Sequence, residues 1–129
     1  MALRVVRLGT PRERGEGLRL GTVRRLPRGV KKADYAKRDF FDLWLPELAP
    51  SEKLVKSAFR KELTSQEWRR FAAAYRREMS QPAPQRLLAV LAALSRQADL
   101  SVGCYCEDES RCHRSLLRAL LVEQGARMA

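Results

Sequence analysis

The amino-acid sequence predicts an α/β fold, a single compact three-layer domain with a small, mainly parallel sheet. Three observations predict it. Apolar runs that read as strands stand near both ends of the chain, at Leu3–Leu8 and Leu100–Val102. Helical apolar spacing fills the stretch between them. A connection that long between the first and last strands favours parallel pairing. The length of 129 residues suits one domain, 1–129, with a core that needs no disulfide staples.

Each element has a local reason. Leu3–Leu8 (L-R-V-V-R-L) mixes apolar and β-branched residues and stops at Gly9-Thr10-Pro11, so it reads as a largely buried strand. Leu18–Val23 is a second strand, weakened by Gly21. Ala33–Leu48 is ambiguous: an early turn of helix, then a short extended piece at Leu43–Leu45 closed by Pro46 and Pro50. Ser51 can cap a helix over Glu52–Phe59. Thr64-Ser65-Gln66-Glu67 is a capping box, and Trp68, Phe71, Ala72 and Tyr75 give the helix it starts one apolar face. Gln81–Pro84 is a linker with Pro84 at a first helical position, and Leu87, Leu88, Leu91 and Leu94 line the next helix. The last helix is expected from about Arg111 to Gln124, with Gly125 as its stop.

All three cysteines and the single histidine fall between Cys104 and His113. The segment reads Cys104-Tyr105-Cys106, then Glu107-Asp108-Glu109-Ser110, then Arg111-Cys112-His113-Arg114. It lies between the last strand and the last helix, where open α/β sheets bind ligands. Cys104 and Cys106 would point to one side of an extended chain. Asp108 or Ser110 could cap the helix, with Cys112 and His113 in its first turn. Helical spacing puts His113 at the head of a buried stripe and Arg114 at the head of an exposed basic one.

Three chemistries fit this pattern, and the sequence leaves them open. Cys104, Cys106, Cys112 and His113 are a recognised zinc ligand set, although adjacent Cys112 and His113 point about 100° apart on a helix. Cys112, near Arg111 and His113 at a helix start, could be a reactive thiol, with Cys106 and His113 assisting. The helix start and Arg114 could also hold an anion, against which the acidic run Glu107–Glu109 counts. Singly, each residue would read as a small buried group.

Charge supplies a second clue. The formal net charge is +11, and most of the excess lies within the first 32 residues. A concentrated positive field attracts phosphates, although an arginine-rich composition can also give a merely solvated face. Arg19, Arg24, Arg25 and Arg28 surround the second strand and the Pro27-Arg28-Gly29 turn, placed to clamp a phosphate. No stretch nears the roughly 20 apolar residues of a membrane span. Three cysteines cannot all pair within the chain and no signal-peptide layout is present, so the expectation is a reduced, cytoplasmic protein.

Several blocks carry a resemblance. Gly17-Leu18-Arg19 with Arg24 and Pro27-Arg28-Gly29, then Asp42-Leu43-Trp44-Leu45-Pro46-Glu47-Leu48-Ala49-Pro50-Ser51, resemble the domain-of-unknown-function 488 family, in particular its YeaO-like branch. Trp68, Phe71, Tyr75-Arg76-Arg77-Glu78 and the segment Val102–Leu117 extend the likeness over most of the chain. The Cys-His-Arg ending is that of the broader family rather than of the YeaO-like branch. The resemblance implies a compact α/β domain, no established reaction, and a role for Arg19, Arg24 and Arg28 beyond surface charge.

The leading expectation is therefore a binder of a phosphate-bearing ligand, such as a nucleotide, a nucleobase derivative or nucleic acid. In it Arg19, Arg24, Arg28 and Arg114 hold the anion while Cys106, Cys112 and His113 shape the site or perform chemistry. The alternatives are a thiol- or zinc-dependent small enzyme, and a protein-interaction module using the apolar cluster Phe40–Leu45. The site is expected where the end of the first strand, the Arg24–Gly29 turn and the Cys104–Arg114 segment converge.

Overall fold

The computed structural model describes residues 1–58, 62–106 and 112–129. Its sheet contains β1 (Leu3–Arg7), β2 (Leu18–Gly21), β3 (Leu43–Trp44) and β4 (Leu100–Cys104), in the order β1-β4-β2-β3. Every pairing is parallel. The first and last strands are neighbours, with Leu3 opposite Leu100 and Arg7 opposite Cys104. This puts the C-terminal end of β4 in the middle of the sheet, between residues contributed by the start of the chain. The outer edge of β1 is covered by the chain's tail: Leu3 N donates to Arg127 O and Ala129 N to Leu3 O. That pairing blunts an otherwise open edge.

Four α-helices are described: α1 (Glu52–Ala58), α2 (Ser65–Met79), α3 (Pro82–Leu94) and α4 (His113–Glu123). The capping box forms as expected, with Glu67 N donating to Thr64 Oγ1 and Thr64 N to Glu67 Oε1. Ser51 Oγ accepts from Leu54 N at the head of α1, and Phe59 lies outside the described residues. Pro82 rather than Pro84 opens α3, because Gln81 is already its N-cap. Gly125, at φ 87°, ends α4 in the left-handed region.

Helices α2, α3 and α4 cover one face of the sheet. Tyr75, Met79, Leu88, Leu91, Leu117, Leu120 and Leu121 pack there on Leu3, Leu20, Leu100 and Val102. Burial of this many large side chains is the main term holding the layers together, at about 1.5–3 kcal/mol each before chain entropy is counted. The other face carries loop instead of helix, and that third layer is thin. Ala33–Leu48 resolves into a 3-10 turn at Lys32–Asp34, the two-residue β3 and a second 3-10 turn at Pro46–Leu48. Phe41 lies directly over Gly21, where a Cβ would stand 2.4 Å from its ring, and Leu8 lies over Gly103 in the same way. Gly21 thus stays inside the strand because the loop packs against its bare backbone.

Candidate functional site

The parallel register brings three distant segments to one end of the sheet. Leu8 N, just past β1, donates to Cys104 O. Thr22, just past β2, donates its N–H and its hydroxyl to Gly103 O. Tyr105 reaches across with its hydroxyl on Arg25 O, 3.0 Å away, while Arg7 Nε holds Tyr105 O. Leu8, Val23 and Phe41 form an apolar wall around Cys104 and Cys112. Leu8 after β1, Thr22 after β2 and the Arg25 carbonyl thus all touch the end of β4 and the residue that follows it.

At this end the three sulfurs meet. The Sγ atoms of Cys104, Cys106 and Cys112 all lie within 4.8 Å of one another. The Cys104 and Cys106 sulfurs are 3.7 Å apart. None is in a disulfide. Cys104 and Cys112 are buried and Cys106 is exposed. Hydrogen bonds from Cys104 and then Cys112 lower the Cys106 thiol far below its ordinary value, and the charge of Arg114 helps. The same contacts push Cys104 up, with burial adding to the effect, and Cys112 rises to about 11.

His113 is anchored to a backbone carbonyl. Its Nε2 lies 2.7 Å from Thr22 O. A carbonyl can only accept, so Nε2 carries the proton and Nδ1 presents its lone pair toward Cys112 Sγ, 3.8 Å away. Burial lowers its pKa to about 4, which keeps the ring neutral. The four-member zinc set Cys104, Cys106, Cys112 and His113 is thus corrected to three sulfurs among the described residues. The physical reason is the divergence of adjacent side chains: Cys112 is the N-cap of α4, and His113 is already inside the helix.

Arg114 also departs from expectation. It is 3% exposed, not the head of an exposed stripe. Its Nη2 donates to Cys106 O, and its Nε has no partner among the described residues. Cys112, the candidate reactive thiol, is buried, and Cys106 is the exposed cysteine. Asp108, Ser110 and Arg111 lie outside the described residues.

The N-terminal arginines are divided among other tasks. Arg19 is fully buried and donates to both Glu16 carboxylate oxygens, to Thr10 O and to Asp39 O. Arg24 donates to Pro50 O and Pro46 O. Arg28 is exposed at its turn. Arg19 and Arg24 therefore spend donors inside the fold. The block from Trp44 to Ser51 is cross-braced by the same means: Trp44 Nε1 donates to Val23 O, the Tyr75 hydroxyl to Leu48 O, and Ser51 N to Glu78 Oε1. Sequence reasoning missed Glu16 and the Thr22 carbonyl. The i, i+3 spacing of Glu16 and Arg19 was the available signal for the first, and a backbone acceptor leaves no signal at all.

Comparison with known proteins agrees with this picture at the level of family. A family model described as DUF488-N3a, the active DUF488-N3 subclade, matches residues 3–125. No curated protein and no solved structure matches the chain. No described helix is long and apolar enough to cross a membrane. The match spans β4, which ends in Cys104, and the helix α4 that Cys112 opens, and the chain belongs to the DUF488 family.

Proposed function

We propose that this protein is a metal-dependent enzyme whose ion, zinc, is held by the thiolates of Cys104, Cys106 and Cys112. One observation supports the reading above all others: three sulfurs from both sides of a strand-to-helix connection converge within 4.8 Å. Tetrahedral sulfurs at about 2.3 Å from zinc stand roughly 3.8 Å apart, close to the Cys104–Cys106 separation of 3.7 Å. Three protein ligands leave a fourth position for water or substrate, as catalytic zinc sites do. The exposure of Cys106 puts that position at the surface. The ion would supply a Lewis acid or an activated water there. The chain's own groups do the positioning: His113, locked by Thr22 O, stands against Cys112, and Arg114 holds the Cys106 backbone. The family description, which calls the matching subclade active, favours an enzyme over a bare interaction module.

A phosphate clamp built on Arg19 and Arg24 is less well supported, because both are engaged within the fold. The exposed Cys106 favours one rival, a metal-free thiol enzyme. Three free thiols suit a reducing compartment such as the cytoplasm.

Elemental analysis of the untagged, as-purified protein separates the two. We expect one zinc per chain, lost in Cys104→Ser and Cys112→Ser variants whose circular dichroism stays native. Metal-free native protein in which Cys106 alone alkylates rapidly would overturn the proposal in favour of the thiol enzyme.

A further inference from the structure

We infer that the substrate of this centre carries an oxyanion, a phosphate or carboxylate group, and that Arg114 receives it. The inference deepens the metal-dependent reading and rests on it for the reacting centre, but not for the anion contact.

Arg114 carries the argument because it is a buried cation with an unused donor. Its side chain is 97% buried, by the complement of its 3% exposure. Buried charges are normally paired and fully hydrogen-bonded. Here one donor, Nη2, is committed to Cys106 O, and Nε meets no acceptor among the described residues. Among the described residues no carboxylate forms an ion pair with it. The guanidinium is nonetheless fixed, because its bond to the Cys106 carbonyl holds it against the exposed cysteine.

A second feature lies at the same place. Arg114 is in the first turn of α4, an 11-residue helix whose N-cap, Cys112, makes no side-chain capping bond. The helix dipole there favours negative charge. A dication on three thiolates carries a net single negative charge, which balances the charge of Arg114 but gives Nε no acceptor. An anionic oxygen entering past Cys106 supplies one. Arginine suits this task because its planar fork can keep Nη2 on the carbonyl while Nε turns to the ligand.

The basic cleft between β1 and the loop at Thr10–Glu16 is a weaker anion site. Arg4 there is paired with Glu13 and Arg19 with Glu16, so carboxylates already occupy its donors.

The test titrates inorganic phosphate, and separately acetate, into as-purified and chelator-treated protein, with calorimetry as the readout. Wild type is expected to bind at least one of them. Arg114→Lys, which keeps the charge but loses Nε, should weaken that binding by at least about tenfold. Its zinc content and melting temperature should stay those of wild type. Arg114→Gln serves as the second variant and should abolish binding. Which of the two anions binds decides between phosphate and carboxylate substrates. Zinc-loaded wild type that binds neither anion, or an Arg114→Lys variant that binds as well as wild type, overturns the inference. If the purified protein holds no zinc yet binds phosphate through Arg114, the metal reading falls and the oxyanion site stands.

Discussion

Arg19 and Arg114 are both buried, both arginines and both close to the same central strand, yet their surroundings are opposite. Arg19 is saturated: two oxygens of Glu16 and the carbonyls of Thr10 and Asp39 take its donors, and Ser101 Oγ adds a further bond to the Glu16 carboxylate. Arg114 has one carbonyl, an unpartnered Nε and no carboxylate among the described residues. The difference teaches how to sort buried cations. One whose donors are all used inside the fold ties loops to a sheet. One left short beside an exposed cysteine is free to take a ligand.

The comparison is broken most severely from the Glu16 side. Glu16→Gln leaves Arg19 as an uncompensated buried charge, and urea unfolding should show a loss of about 3–5 kcal/mol. A loss under about 1 kcal/mol would mean that the pair does not hold the loop layer.

Acid should act on the same pair. Burial alone would raise the Glu16 pKa, but the hydrogen bonds from Arg19, Glu13 N and Ser101 outweigh it and lower the folded value to about 2 from 4.5. A carboxyl lowered in the folded state stabilises above its unfolded value, and the stability drains as pH falls toward the folded one. The urea midpoint of wild type should therefore fall as pH drops from about 4.5 to about 2, and Glu16→Gln should lack that part of the slope. Parallel slopes in the two proteins would contradict the assignment.

The smallest expected effect belongs to Arg114. Arg114→Met removes an incompletely bonded buried charge and one hydrogen bond, so unfolding should change by only about 1 kcal/mol in either direction. A loss matching that of Glu16→Gln would show that Arg114 is a structural tie like Arg19.

The sequence made the scaffold legible where local physics decides alone. The Thr64–Glu67 capping box, the Gly125 stop and the parallel pairing forced by long crossovers were all readable. So was the gathering of Cys104, Cys106 and Cys112. The loop layer was not, because Phe41 over Gly21 and Leu8 over Gly103 are tertiary contacts without periodicity. For the same reason the internal partners of Arg19 and Arg24 stayed hidden: they are mostly backbone carbonyls, which every residue carries. Arg114 was misjudged through the helix start. With Cys112 as N-cap, the first turn of α4 faces inward at both His113 and Arg114.

The most direct measurement is zinc-edge X-ray absorption on the purified protein. The three-sulfur centre predicts about three sulfur neighbours at about 2.3 Å and one oxygen-type neighbour, with no imidazole scattering. Four sulfurs, an imidazole ligand or the absence of zinc would contradict it.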